Sequence, residues 1–240
     1  MERRLITSPT KVDLEIVKKW LIEEYKTFNE GFYCNWDVIE YAFNRGEFFT
    51  FYHEKEIIGF SVVSEVDKHL KIDIFEIEPR YRKQYLGRFF YTEIESYFKN
   101  KGFSAIQLFC SPRDSEKFWR KLDFIQFPEV IFSESDLTFY KPLIKTLSPN
   151  NKVSCDSVLE LWNKEPYQIK EKDTPSWTWG VNEKGKLEYP ILFPCSYDWN
   201  LRWRRNGEII REDKVKYFGR KGEEIYFSGY LYIDTLEILQ

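Results

Sequence analysis

Residues able to do charge chemistry crowd into one stretch of this 240-residue chain. An alternating strand, His69-Leu-Lys-Ile-Asp-Ile-Phe-Glu-Ile77, leads past Glu78 and Pro79 into a basic loop. The loop, Arg80-Tyr-Arg-Lys-Gln-Tyr85, then feeds a helix opening at Leu86-Gly87-Arg88. Arg82, Lys83 and Arg88 supply positive charge where the unpaired amides and the dipole of a helix N-terminus already favour an anion. Gly87 permits a close backbone approach, and the amides from Lys83 to Arg88 are placed to cradle a pyrophosphate. Without a ligand, the same loop reads as a solvated basic turn.

The elements that must position these residues follow from periodicity. A strand at Arg3–Thr7 passes through Ser8-Pro9-Thr10 into a helix whose Leu14, Val17, Leu21 and Tyr25 form one apolar face. A second helix starts near Asn35, runs through Val38, Ile39 and Ala42, and stops at Gly46. Strands follow at Phe48–His53, Ile57–Ser64 and Leu70–Ile77. The helix after the loop spans Leu86–Asn100 and ends at Gly102. A buried strand at Ala105–Cys110, a short helix at Ser115–Leu122 and more strand from Phe124 to Tyr140 complete this part.

Composition narrows the classes. The chain is 42% hydrophobic and 31% charged with a formal net charge of −3, as expected of a soluble protein. Its longest strongly apolar stretch, Ile57–Val63, is too short to span a bilayer. No apolar region follows the charges at the N-terminus, so a cytoplasmic location is expected. Neither half of the chain is basic overall, which disfavours nucleic acid as a partner. Cys34, Cys110, Cys155 and Cys195 are widely spaced, with no metal-ligand or disulfide pattern.

A second segment, Phe118-Trp-Arg-Lys-Leu-Asp-Phe124, changes the weight of the first. The strand–loop–helix–strand order, the Gly102-Phe103 break and the Phe118-Trp119 pair before Leu122 and Phe124 resemble the GNAT superfamily of acetyl-coenzyme A-dependent N-acetyltransferases. The family's pyrophosphate-binding pattern, Arg/Gln-x-x-Gly-x-Gly/Ala, stands here as Arg82-Lys-Gln-Tyr-Leu-Gly87. Its Tyr-x-Lys-Leu-Gly-Phe pattern stands as Trp119-Arg-Lys-Leu-Asp-Phe124. The resemblance covers residues 1–143. It implies an α/β (α+β) fold with a mixed, mostly antiparallel central sheet flanked by helices. It implies acetyl-CoA as cosubstrate, with Ile77, Arg82, Lys83, Gln84, Tyr85, Leu86, Gly87, Arg88 and Trp119 as cofactor-binding residues. The implied activity is acetyl transfer to a primary amine of a small-molecule or peptide acceptor.

Three positions depart from the family pattern. Tyr85 replaces the first loop glycine. Trp119 stands where many members have a tyrosine that can protonate the leaving thiolate, a role an indole N–H fills poorly. Asp123 replaces a turn glycine, and aspartate tolerates left-handed geometry. These departures also fit a second reading, a non-catalytic coenzyme A-binding or ligand-recognition protein on the same scaffold.

Acyl transfer to an amine needs a base to strip the ammonium, and His69, Asp73, Glu76 and Glu78 are candidates. Strand alternation puts His69, Lys71, Asp73 and Phe75 on one face and Leu70, Ile72, Ile74 and Glu76 on the other. The isoleucines mark the second face as core. Asp73 then lies on the open face, where related enzymes often place the base. Glu76 breaks the core pattern just before the loop, where a bulge would turn it into a cleft. Asp73 and Glu76 are therefore the catalytic candidates; the alternative for each is a solvated or ion-paired strand residue. The family usually takes its oxyanion donor from a backbone amide near Glu76–Ile77.

Polar residues at Lys145–Asn151 suggest a boundary between a domain at 1–144 and a small β-rich, aromatic domain at 150–240. A short helix is expected at Cys155–Trp162. Asn206-Gly207 signals a hairpin between Asn200–Arg205 and Ile209–Tyr217, with further strands at Ile225–Leu231 and Ile233–Leu239. Trp177, Trp179, Trp199 and Trp203 read either as core or as a stacking surface flanked by Arg202, Arg204 and Arg205.

Overall fold

The computed structural model describes residues 2–128, 131, 135–149, 157–182, 186–219, 225–227 and 229–236. The chain divides into two compact units, Met1–Ile125 and Gln126–Gln240. The first runs β1 (Arg3–Ile6), α1 (Lys11–Phe28), α2 (Trp36–Arg45), β2 (Phe48–His53), β3 (Glu56–Val66), β4 (His69–Ile77), α3 (Leu86–Asn100), β5 (Ala105–Phe109) and α4 (Glu116–Arg120). Its strands lie in the order β1-β2-β3-β4-β5. All neighbours are antiparallel except β4 and β5, which are parallel. This is the mixed, mostly antiparallel sheet that the sequence predicts.

Local chemistry explains where the helices begin and end. Thr10 and Asp13 form a reciprocal capping box at the start of α1, with Asp13 Oδ2 accepting from the Thr10 amide at 2.7 Å. Leu14, Val17, Trp20 and Leu21 then pack with Phe60, Val62 and Ile74 of the sheet. Tyr25, predicted to extend this apolar face, is instead 43% exposed, and Glu24 takes the buried position beside it. Gly46 and Gly102 adopt left-handed backbone just past α2 and α3, as helix-terminating glycines do.

Strand β4 carries the geometry that matters for function. Val62 pairs with Ile74 and Val63 with Ile72, so Asp73 is the extra residue of a β-bulge. Pairing with β5 covers only His69–Ile72, opposite Ala105–Leu108. From Asp73 to Ile77, β4 continues without β5 beside it. On its other side β3 comes very close at Gly59. A Cβ there would lie 2.7 Å from Ile77 Cδ1 and 2.8 Å from the Glu76 carbonyl oxygen. Only a glycine lets the two backbones meet at this point.

The second unit is β-rich. It begins within the two-residue strand β6 (Ile125–Gln126) and continues with β7 (Thr138–Pro142), β8 (Ser157–Trp162), β9 (Trp177–Val181), β10 (Lys186–Pro194), β11 (Asn200–Arg205), β12 (Glu208–Lys214), α5 (Val215–Phe218), β13 (Tyr226–Phe227) and β14 (Tyr230–Thr235). One sheet has the order β12-β11-β8-β9 and another β10-β14-β13. Leu159, Leu161, Trp179, Leu201 and Trp203 of the first share a core with Ile191, Phe193, Leu231 and Ile233 of the second.

Several expectations change here. The helix predicted at Cys155–Trp162 is the strand β8 over Ser157–Trp162, and residues 155 and 156 lie outside the described residues. Leu159 and Leu161 face the core at a spacing of two, whereas the burial of Glu160 and Trp162 between and beside them hides the alternation. The stacking-surface reading of the tryptophans fails on burial: Trp179, Trp199 and Trp203 are all buried, and Trp177 stacks on Trp199 at 5.4 Å. Of the strand predicted across Phe124–Tyr140, β6 and the start of β7 are seen, and residues 129, 130 and 132–134 lie outside the described residues. The strands predicted at Ile225–Leu231 and Ile233–Leu239 resolve into the β13–β14 hairpin, with 228 and 237–240 outside the described residues. The Asn206-Gly207 turn forms as predicted, with φ of 50° and 85°.

No helix among the described residues is long and apolar enough to cross a membrane. The tight β3–β4 approach yields a stability prediction. Gly59→Ala should cost about 2 kcal/mol through overpacking against a backbone oxygen that cannot yield. It should appear as a lower urea midpoint at unchanged slope.

Candidate active site

The far end of β4 gathers charged side chains from three elements. Ile74 packs toward α1, and Glu76, two residues on, reaches the same side. Phe75 points to the opposite side, stacking on Phe90 of α3 at 4.8 Å and meeting Trp119 of α4 at 5.2 Å. Glu76 Oε1 accepts from the Ile77 amide and from Arg82 Nη2, both at 2.9 Å. Arg82 Nη2 also donates to Glu24 Oε1 at 2.6 Å, and its Nε donates to the Ile77 carbonyl at 2.8 Å. One guanidinium from the loop therefore binds α1, β4 and the β4 backbone together.

Burial differs sharply across this cluster. The Glu24 side chain is 4% exposed, Glu76 14% and Arg82 43%. Burial pushes the Glu76 carboxyl up to about 7, while Arg82 pulls it down and Glu24 adds to the rise. Arg82 itself is part-buried, which works against its charge, but Glu76 and Glu24 more than compensate and raise its proton affinity. Glu76 thus takes up and releases a proton near neutral pH.

The other predicted residues fall as follows. Asp73, at the bulge, accepts from Ser64 Oγ at 2.5 Å and pairs with Lys71 at 3.2 Å. Glu78 pairs with Arg80 at 2.7 Å. His69 begins β4 and is buried, which pushes its imidazole down to about 4 and keeps it neutral at pH 7. In the loop, Lys83 and Tyr85 both take left-handed backbone, with φ of 63° and 62°. Tyr85 adopts the conformation a glycine favours while its side chain stands 78% exposed, clear of the loop's backbone. Gln84 Nε2 donates to the Arg80 carbonyl at 3.0 Å. Leu86 is buried, and Gly87 faces Phe118 and Ile77 with room for ordinary contact. Lys83 and Arg88 are exposed. No acceptor among the described residues is bonded to the amides of Lys83, Gln84, Tyr85, Leu86 or Gly87, as expected before a helical first turn.

Trp119 is buried among Phe75, Tyr91, Phe118 and Phe124. Tyr91, the phenol nearest to it, is held well above its ordinary proton affinity by burial and so is a poor acid. Glu24 is the functional candidate the sequence reading passed over. Its signal was present: Leu14, Val17, Leu21 and Glu24 share one helical stripe, so a carboxylate continues an apolar face. Among the described residues no group of three His, Cys, Asp or Glu is placed to hold a metal ion.

The unit thus combines a bulged central strand, a parallel neighbour that parts from it and a basic turn with unbonded amides at a helix N-terminus. Residues 14–124 match the model of the acetyltransferase (GNAT) family. Solved structures similar to the chain include Ard1 from Thermoplasma volcanium, at 14% identity, covering 60% of this chain and 100% of that one, with a TM-score of 0.46. Another is PaiA N-acetyltransferase from Thermoplasma acidophilum in complex with coenzyme A, at 17% identity, 59% and 99% coverage and a TM-score of 0.47. A third is the GNAT-family N-acetyltransferase YhbS from Escherichia coli in complex with CoA, at 14% identity, 60% and 81% coverage and a TM-score of 0.46. No curated protein matches the chain.

Removing the shared cation gives a pH-dependent prediction. In Arg82→Ala, Glu76 loses its counter-ion while burial and the Glu24 charge remain, so it binds its proton more tightly folded than unfolded. Stability from such groups is present at low pH and lost as pH rises through their folded-state values. The variant should melt close to wild type near pH 4.5 and fall behind it at pH 8 by about 2 kcal/mol. That is less than a fully buried pair would lose, because the guanidinium is 43% exposed. Thermal melts across pH check it; a deficit that is equal at both ends would refute it.

Proposed function

We propose that the protein is an N-acyltransferase that moves an acetyl group from acetyl-CoA to a primary amine, with Glu76 as general base. The observation that carries this reading is the Glu76 carboxyl, poised at about 7 at the end of β4. A base with a proton affinity near ambient pH is ionised in a useful fraction of molecules and still draws a proton strongly. The family match over residues 14–124 supports the acetyl donor.

The chain's residues divide the work. The thioester supplies an activated acyl group when bound. Lys83 and Arg88, with the loop amides from Lys83 to Gly87, would hold the pyrophosphate. The stretch of β4 from Asp73 to Ile77, which β5 does not accompany, offers backbone hydrogen bonds to the amide-bearing arm of the cofactor. Arg82, committed to Glu24, Glu76 and the Ile77 carbonyl, orients the base. Glu76 accepts the ammonium proton on the oxygen that Ile77 and Arg82 leave open. Asp73, paired with Lys71 and Ser64, shapes the bulge. The acceptor is a small molecule or a peptide presenting a primary amine.

Acetyl-CoA should raise the melting temperature, since a ligand that binds only the folded state stabilises it. The double variant Lys83→Glu/Arg88→Glu should lose that shift. Glu76→Gln should keep the shift but release free thiol about 100-fold more slowly across a panel of primary amines. A fully active Glu76→Gln would end the base assignment. Wild-type protein that binds acetyl-CoA yet releases no thiol with any amine would instead support the non-catalytic reading.

A further inference from the structure

Glu24 has no part in the proton transfer just described, yet it is the most deeply buried member of the cluster, with 4% of its side chain exposed. Its Oε1 takes Arg82 Nη2 at 2.6 Å, closer than the 2.9 Å at which the same nitrogen meets Glu76. Its Oε2 is buried and has no hydrogen-bond partner among the described residues. Gly31, with φ at 95°, lies so near that a Cβ would stand 2.9 Å from that oxygen. The loop after α1 thus presses the carboxylate onto Arg82 instead of letting it turn to water. A half-satisfied buried carboxylate is a poor way to gain stability, so its placement asks for another reason.

We propose that Glu24 is a positioning residue for Glu76: by sharing Nη2 of Arg82 it keeps the guanidinium from neutralising the base alone. The inference rests on the reading of Glu76 as base. The charged groups acting on Glu76 are Arg82 from the loop and Glu24 from α1. Across the sheet its neighbours are the uncharged Gly59, Phe60 and Ser61 of β3. Were Arg82 bound to Glu76 only, the carboxylate would be held in its charged form and would become a weak base. With Glu24 competing for the same nitrogen, and adding its own negative charge, Glu76 keeps its appetite for a proton.

The test is a carbon-13 NMR titration of protein labelled at the glutamate side-chain carboxyl. Glu76 and Glu24 are assigned by the loss of their signals in Glu76→Gln and Glu24→Asp. Glu24→Gln preserves the shape and the acceptor for Arg82 while removing the charge. It should lower the Glu76 midpoint by about one pH unit, with the circular dichroism spectrum unchanged. In the wild-type protein the Glu24 signal should show a step at the Glu76 midpoint, a readout that needs no stable Gln variant. A Glu76 midpoint unmoved in Glu24→Gln, or the absence of that step, would overturn the proposal. A merely structural role would lower the melting temperature and leave the midpoint where it was. Turnover is not involved: an active Glu76→Gln would remove the base reading and leave the coupling intact.

Discussion

A single guanidinium joins three pieces of chain: the end of α1 through Glu24, far away in sequence, the end of β4 through Glu76 and Ile77, and the loop that carries Arg82 itself. A lysine could not replace it, since one ammonium lacks the planar fork that serves a carbonyl and two carboxylates at once. Because Arg82 folds back onto β4, the residues that follow must turn sharply. Lys83 and Tyr85 take left-handed backbone, and their amides have no acceptor among the described residues. The basic turn is thus a by-product of the clamp as much as a site of its own.

The opposite face of β4 is governed by packing. Phe75, Phe90, Phe118 and Trp119 form one aromatic cluster joining β4, α3 and α4. Trp119 is a buried hydrophobic body, with edge-on contacts to Phe75, Tyr91, Phe118 and Phe124. Glu76 lies on the far face from this cluster, so its chemistry and the packing of α4 are separated by the strand itself.

The second unit shows how the same residue types take another role once buried. Its tryptophans fill a core shared by two sheets, and the arginines of β11 turn outward onto carboxylates: Arg202 onto Glu212 at 2.7 Å and Arg204 onto Glu160. Leu201 and Trp203 against Arg202 and Arg204 follow the strand's period of two, as the alternation of that segment requires. A stacking surface and a core demand the same rings. Only burial distinguishes them.

What could be read from the chain alone was whatever depends on a few neighbouring residues. The bounds of α3, the Gly102 stop and the Asn206-Gly207 hairpin are local consequences of backbone preference. Glu76 was legible as a break in an apolar face, although the bulge that reshapes β4 lies at Asp73 and not beside it. The strand at Ser157–Trp162 was misread because both of its faces are covered, which erases the alternation that marks a strand. Glu24 was overlooked because a carboxylate on an apolar stripe gains meaning only when its partner is known. That partner, Arg82, stands 58 residues away, and no local preference links the two. Residue types and turns were therefore decided by sequence. Which carboxylate is buried, which cation it shares and which proton it can hold were decided by tertiary structure, because desolvation and charge coupling depend on distance in space.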